Sequence, residues 1–228
     1  MKHIAIIAAV ETEIRHYLKA LAHLETAERG GMTFWTGTYA GYQVSVARSG
    51  VGKVNAAMAA TLLAQKAPAL VINTGTAGSL QADLPVGSVL LAEEVRYHDV
   101  DVTAFQNEWG QMDGEPASFK TDPALRTQLA KLLAQKGEKV VTGLLVSGDQ
   151  FLGEKEAVHR VQAHFPQALG AEMEGAAIAQ VCTHFNLPFL LSRVVSDEGS
   201  EMTYEEFVVA IGQKSAEVIL AFLDEQPL

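Results

Sequence analysis

Ile4-Ala5-Ile6-Ile7-Ala8-Ala9-Val10 is an unbroken apolar run, and Glu11-Thr12-Glu13 follows it directly. A strand with one wet face alternates apolar and polar residues; a strand covered on both faces does not. The run therefore predicts a buried strand in a sheet with helices on both sides. Ala69–Asn73, Val86–Ala92, Val140–Val146 and Leu187–Val195 repeat the pattern. Between them, Glu13–Ala22, Lys53–Gln65, Glu154–Ala163, Gly175–Phe185 and Tyr204–Leu223 have the apolar spacing of helices. Asp122 followed by Pro123 predicts an N-cap and first helical position for a further helix, to about Lys136. Thr33–Tyr39 and Tyr42–Arg48 read as paired strands joined at Ala40-Gly41, and Thr74-Gly75-Thr76-Ala77-Gly78 as a glycine-rich turn. Strands alternating with helices predict an α/β fold with a mixed, largely parallel sheet surrounded by helices. No repeat or linker interrupts the chain, so one domain, 1–228, is expected.

Bulk properties narrow the function. The chain has 228 residues and a formal net charge of −10. That field repels phosphate backbones and argues against nucleic-acid binding. Cys182 is the single cysteine, so no intrachain disulfide can form, which suits a reducing cytoplasm. Glu11 and Glu13 interrupt the amino-terminal apolar run, which favours a first strand over a signal peptide. No apolar run approaches the ~20 residues of a membrane-spanning helix.

The chemistry is concentrated in acids that follow strands. Ligands of open α/β sheets bind outside the carboxyl ends of the strands. Glu11-Thr12-Glu13, Glu172-Met173-Glu174 and Val195-Ser196-Asp197 all lie at such places. Glu174 precedes an alanine-rich helix that must pack closely, and a buried acid needs a strong partner. The paired hydroxyls of a ribose are one, and Glu172 reads as support. Asp197, in a partly dry pocket, could keep its proton above the usual ~3.9 and act as a general acid, with Ser196 orienting it. Acids after the first strand repel a phosphate dianion but can activate water. Together they point to glycosidic hydrolysis.

Other motifs fail on spacing. Ser49-Gly50-Val51-Gly52-Lys53 resembles a nucleotide loop, but Ala47 and Val54 break the Walker A pattern and Asn55 the dinucleotide pattern. It reads as a tight strand-to-helix turn that lets backbone approach a ligand. His98, between Tyr97 and Asp99, has no second histidine at ligand spacing, so no metal is expected. Gly-x-Ser-x-Gly is absent, and Cys182 lies inside a packed helix.

Ile6–Glu13, Ser49–Asn55, Ile72–Gly78, Arg96–Phe105, Val146–Phe151, Glu172–Glu174 and Arg193–Asp197, in that order, resemble the bacterial 5′-methylthioadenosine/S-adenosylhomocysteine nucleosidases of the nucleoside phosphorylase/uridine phosphorylase superfamily. The likeness covers nearly the whole chain. It implies a three-layer αβα fold, a homodimer, no cofactor, and hydrolysis of the bond between adenine and a 5′-thio-substituted ribose. By resemblance Glu13 is the water-activating base, Asp197 the acid that protonates adenine N7, and Glu174 the ribose ligand. Met173 lies under the sugar, Phe151 stacks on adenine, and the Leu152 backbone reads its edge. Val51 and Thr76 line the ribose and the catalytic water. Val102 and Phe105 come from the partner subunit to the 5′ group.

The sequence departs from the family at three places. The stretch 198–202 is short, Glu198 adds an acid beside Asp197, and Asn107 and Asp113 stand where relatives often carry an aromatic residue and a proline. Three alternatives stay open: a nucleosidase for another 5′ group such as aminodeoxyfutalosine, a purine nucleoside phosphorylase, and a non-catalytic nucleoside-binding protein.

Overall fold

The computed structural model describes residues 1–196 and 204–225, with side chains through 196 and from 209 onward. The strands are β1 (His3–Ala8), β2 (Ala22–Arg29), β3 (Met32–Tyr39), β4 (Tyr42–Arg48), β5 (Leu70–Ser79), β6 (Val89–Tyr97), β7 (Phe119–Lys120), β8 (Val140–Ser147), β9 (Gly170–Glu172) and β10 (Phe189–Val195). The helices are α1 (Glu11–Ala20), α2 (Lys53–Ala64), α3 (Pro123–Gln135), α4 (Lys155–His164), α5 (Gly175–His184) and α6 (Tyr204–Glu225).

All ten strands join one sheet in the order β10-β6-β8-β9-β5-β1-β4-β3-β2, with β7 beside β6. The expected mixed sheet is present. β1 runs parallel to both β4 and β5, β10 parallel to β5, and β8 parallel to β6 and β9. Antiparallel pairing enters where β10 meets β6, where β9 meets the end of β5, and in the β2–β3–β4 meander and the short β7. Because β5 pairs with both β9 and β10, the five strands β5, β10, β6, β8 and β9 close into a ring.

The two-residue period of β1 divides the core. Ile4, Ile6 and Ala8 face α1, α3 and α6, packing with Ile14, Tyr17, Leu129, Leu133, Ile219 and Phe222. Ala5 and Ile7 face the opposite way, toward the alanines of α2 and α5. Both layers are apolar, which is why this strand carries no polar alternation. α4 closes a third cluster through Val161, over Leu144, Val146 and Phe165.

Local signals explain most boundaries. Asp122 Oδ1 accepts from the Ala124 and Leu125 amides, both at 2.9 Å, with Pro123 at the first helical position. Asp122→Ala is expected to cost about 1 kcal/mol in a urea titration, with little change in activity. The β3–β4 hairpin turns at Ala40 and Gly41, both at positive φ (47° and 83°), the geometry a two-residue loop needs.

Four expectations need correction. The helix after β1 begins at Glu11 rather than Glu13 and ends at Ala20. Ala22 instead starts β2, a strand the sequence did not announce, because all eight of its residues are exposed and no face needs an apolar pattern. The strand expected at Val86–Ala92 runs from Val89 to Tyr97, since Gly87 forms part of the turn before it. Thr74–Gly78 is no turn: it continues β5, paired with β10 through Ala77 and with β9 at Gly78. Among the described residues, no helix is long and apolar enough to cross a membrane.

Candidate active site

β5 is longer than its neighbour. It pairs with β1 only from Leu70 to Asn73, and meets β9 at Gly78. Between those points the edge turned away from β10 has no strand partner, and Glu13 fills the place. The Thr76 amide donates to Glu13 Oε1 at 3.1 Å. Glu13 Oε2 accepts from Ala9 (2.9 Å) and Val10 (3.2 Å), so the acid at the third position of α1 also caps the helix's own start. Val10 has no side-chain acceptor to return the bond. Burial raises the Glu13 pKa, the nearby Arg193 charge works against that rise, and a carboxylate poised this way suits a general base.

Glu174 lies at the junction of β9 and α5. Its Oε1 accepts from the Gly52 amide at 2.9 Å, in the turn that leads into α2. Each carboxylate oxygen can accept more than one bond, which leaves capacity for a ligand. Glu172, two residues earlier, is saturated: Ser147 Oγ, the Glu174 and Gly175 amides and Arg193 all donate to it. Its oxygens are thus bound within the protein.

Arg193 joins these acids. It is 1 % exposed, in the middle of β10. Its Nη2 donates to Glu172, to Asn73 Oδ1 at 2.8 Å and to Glu174 Oε2 at 3.4 Å, and Nη1 to the Thr74 carbonyl at 3.3 Å. Burial works against its charge, but Glu172, Glu174 and Glu13 more than offset that and hold it cationic. Arg193 was quoted in the sequence without a role. The signal was present: a lone charge inside the apolar strand Phe189–Val195 must have buried partners.

Gly75 was likewise missed. Its φ of 150° suits glycine alone, and a Cβ there would lie 2.5 Å from Glu13 Oε1 and against the Arg193 guanidinium. The bare backbone makes room for the acid and the cation to meet.

Burial pushes the Glu174 pKa up to about 7, Arg193 opposes this, and Glu172 adds to it. The sign follows by linkage. Below the ordinary value of 4.5 the group is neutral folded or unfolded, and above about 7 the fold must bury a charge. Through this group stability falls as pH rises from 4.5 to about 7. Glu174→Gln is expected to flatten that slope, as read from urea midpoints at pH 5 and pH 8.

The remaining residues of interest are distributed as follows. Thr76 is half-buried beside Glu13. Val51, 49 % exposed, precedes the Gly52 amide on Glu174. Met173 is half-buried between the two glutamates. Ser196 follows β10 directly and donates through N and Oγ to the Ala77 carbonyl at 3.0 and 3.4 Å. Leu152 packs on the α4 cluster, while Phe151 is 79 % exposed. Val102 packs partly against the core, and Phe105 is 71 % exposed. Asp197 and the stretch 198–202 lie outside the described residues. Asn107 Nδ2 donates to Asp113 Oδ1 at 3.0 Å, so the two unusual residues meet each other. Among the described residues, no group of histidines, cysteines and acids could hold a metal.

A ring-closed mixed sheet with buried carboxylates at its strand ends defines the class, and residues 3–225 match the family model described as "Phosphorylase superfamily". A 5′-methylthioadenosine/S-adenosylhomocysteine nucleosidase of Shewanella sediminis is 42 % identical over 97 % of this chain and 99 % of its own. One of Aeromonas salmonicida is 43 % identical over 96 % and 98 %. The solved structure of the Neisseria meningitidis nucleosidase of the same description, in complex with methylthio-immucillin-A, superposes with a TM-score of 0.94 at 37 % identity, over 99 % of this chain and all of that one. The chain belongs to the 5′-methylthioadenosine/S-adenosylhomocysteine nucleosidase family.

Proposed function

We propose that the protein hydrolyses the N-glycosidic bond of 5′-methylthioadenosine and S-adenosylhomocysteine, releasing adenine and the 5-thio-substituted ribose. The observation that carries this reading is the pair of buried carboxylates, Glu13 on the Thr76 amide at the gap in the β5 edge and Glu174 on the Gly52 amide, with Arg193 paired to Glu174 and its charge acting on Glu13. Glu174 takes the ribose hydroxyls, and Glu13 withdraws a proton from the attacking water. Asp197, outside the described residues, protonates adenine N7 so that the base leaves neutral; this role rests on the resemblance. Bond cleavage builds positive charge on the sugar, and the carboxylates beside it stabilise that charge.

Hydrolysis is favoured over phosphorolysis by where the cations are spent. Arg193 is bound to Asn73, Glu172 and Glu174, Lys53 to Asp99, and Arg48 to Glu11 at 2.9 Å. A phosphate dianion would meet carboxylates first. The supporting assignments are Val51, Thr76 and Met173 around the ribose, Phe151 and Leu152 around the base, and Ser196 orienting Asp197. One domain, 1–228, carries the activity; the continuous sheet supports this. A homodimer, with Val102 and Phe105 reaching the partner's 5′ group, is supported by the 71 % exposure of the Phe105 ring. A cytoplasmic setting agrees with one buried free thiol, Cys182.

The test is chromatography of products from 5′-methylthioadenosine, with and without phosphate. Adenine and the free sugar at equal rates in both support the proposal. A sugar phosphate formed only with phosphate makes the enzyme a phosphorylase. Bound substrate that never releases adenine makes it a binding protein.

A further inference from the structure

A second set of charged residues, beyond the acids already described, links three loops at the carboxyl ends of β4, β6 and β8. Lys53, the first residue of α2, donates Nζ to both oxygens of Asp99, at 2.7 and 2.6 Å. Asp99 follows β6 and in turn accepts the Asp149 amide at 2.8 Å. Asp149 follows β8 and accepts the Lys53 amide at 2.7 Å, with its other oxygen 3.8 Å from Lys53 Nζ. The bonds form a closed cycle: Lys53 to Asp99, Asp99 to Asp149, Asp149 to Lys53.

Within the cycle the Lys53–Asp99 pair is unlike a surface ion pair, while Asp149 is 48 % exposed. Lys53 and Asp99 side chains are 22 % and 11 % exposed, and Lys53 Nζ sits 5.3 Å from the Tyr97 ring centroid. A lysine at the first position of a helix is disfavoured by the macrodipole, and α2 has no acid in its first turn. Its N-cap is Gly52, which has no side chain, so Asp149 supplies the capping carboxylate from another strand's end. The loop is also held closely: a Cβ on Gly148 would lie 2.9 Å from Asp99 Cγ.

What the cycle joins gives it a use. On one side the Gly52 amide, adjacent to Lys53, bonds Glu174. On the other, Phe151 and Leu152 follow Asp149 by two and three residues. We propose that Lys53, Asp99 and Asp149 are positioning residues for nucleoside recognition, fixing the distance between the purine loop and the ribose acid. The proposal rests on the reading that Phe151 and Leu152 receive the base and Glu174 the sugar. A nucleoside has one base-to-ribose separation, and a wall that drifts relative to Glu174 satisfies one end at the expense of the other. None of the three residues needs to touch the substrate.

Steady-state kinetics on 5′-methylthioadenosine with Lys53→Met, Asp99→Asn and Lys53→Arg, beside calorimetric adenine binding and thermal unfolding, tests this. For Lys53→Met and Asp99→Asn, KM is expected to rise roughly 10- to 100-fold, with kcat within about threefold and adenine Kd rising much less, because free adenine meets only the purine loop. Lys53→Arg, which keeps a cation near Asp99, is expected to recover part of the loss. Unchanged KM in the folded variants would overturn the proposal, as would a fall in kcat alone or a rise in adenine Kd as large as that in KM. Should Lys53→Met fail to fold, the isosteric Asp99→Asn decides the matter. If wild type releases no adenine, the nucleosidase reading fails instead, and calorimetric affinities for methylthio-immucillin-A, which carries both ends, still decide the positioning role.

Discussion

Glu13→Gln is expected to lower kcat by roughly 10²–10⁴-fold, the usual worth of a general base. Glutamine keeps the length and one carbonyl oxygen, which can still accept from the Ala9 and Val10 amides. Its NH₂ then faces the Thr76 amide, which loses its acceptor. That unsatisfied donor costs about 1–3 kcal/mol of stability, so the assay belongs well below the unfolding temperature. Inhibitor affinity should change little, because Glu13 acts on water rather than on the sugar hydroxyls. Single-turnover release of adenine separates the two effects. An unchanged rate in a folded variant would remove Glu13 from the chemistry.

Arg193→Met should have the largest effect on the fold. Among the described residues, three buried carboxylates, Glu13, Glu172 and Glu174, share this cation. Breaking a buried pair by removing one partner costs roughly 3–5 kcal/mol, far more than an exposed pair. The pH dependence has a definite sign. Without the guanidinium the pKa values of Glu13 and Glu174 rise further, since the Arg193 charge is the largest influence opposing their rise. Below their raised pKa Glu13 and Glu174 are neutral and the fold tolerates the loss better; above it, each is an uncompensated buried charge. Urea midpoints should therefore diverge from wild type as pH rises from 5 to 8. The acidic limb of kcat/KM should move to higher pH, because Glu13 and Glu174 then ionise later. A variant as stable as wild type at pH 8, with an unmoved profile, would contradict the role given to Arg193.

The buried strands were legible because a strand covered on both faces leaves an apolar run that little else produces, as in Ile4–Val10 and Leu187–Val195. Helix starts were legible where chemistry marks them, as at Asp122-Pro123. β2 was not, because an edge strand wet on both faces has no pattern to show. Thr74–Gly78 misled for a related reason. Its glycines suggested a turn, yet Gly75 serves an extended strand that must pass close to Glu13 and Arg193. The acids of the site could be found one at a time, since each follows a strand. Their meeting through Arg193 could not, because it depends on β5 parting from β1 after Asn73 and on β10 lying beside it. The Lys53–Asp99–Asp149 cycle was hidden for the same reason: its members are far apart in the chain and share only the carboxyl side of the sheet.

The most direct measurement is a crystal structure of the protein with methylthio-immucillin-A. The expected result is both ribose hydroxyls on the Glu174 carboxylate, a water held by Glu13 on the opposite side of the sugar from the base, and Asp197 within hydrogen-bond reach of the base. An inhibitor bound in order with Glu13 or Glu174 turned away from it would contradict the account.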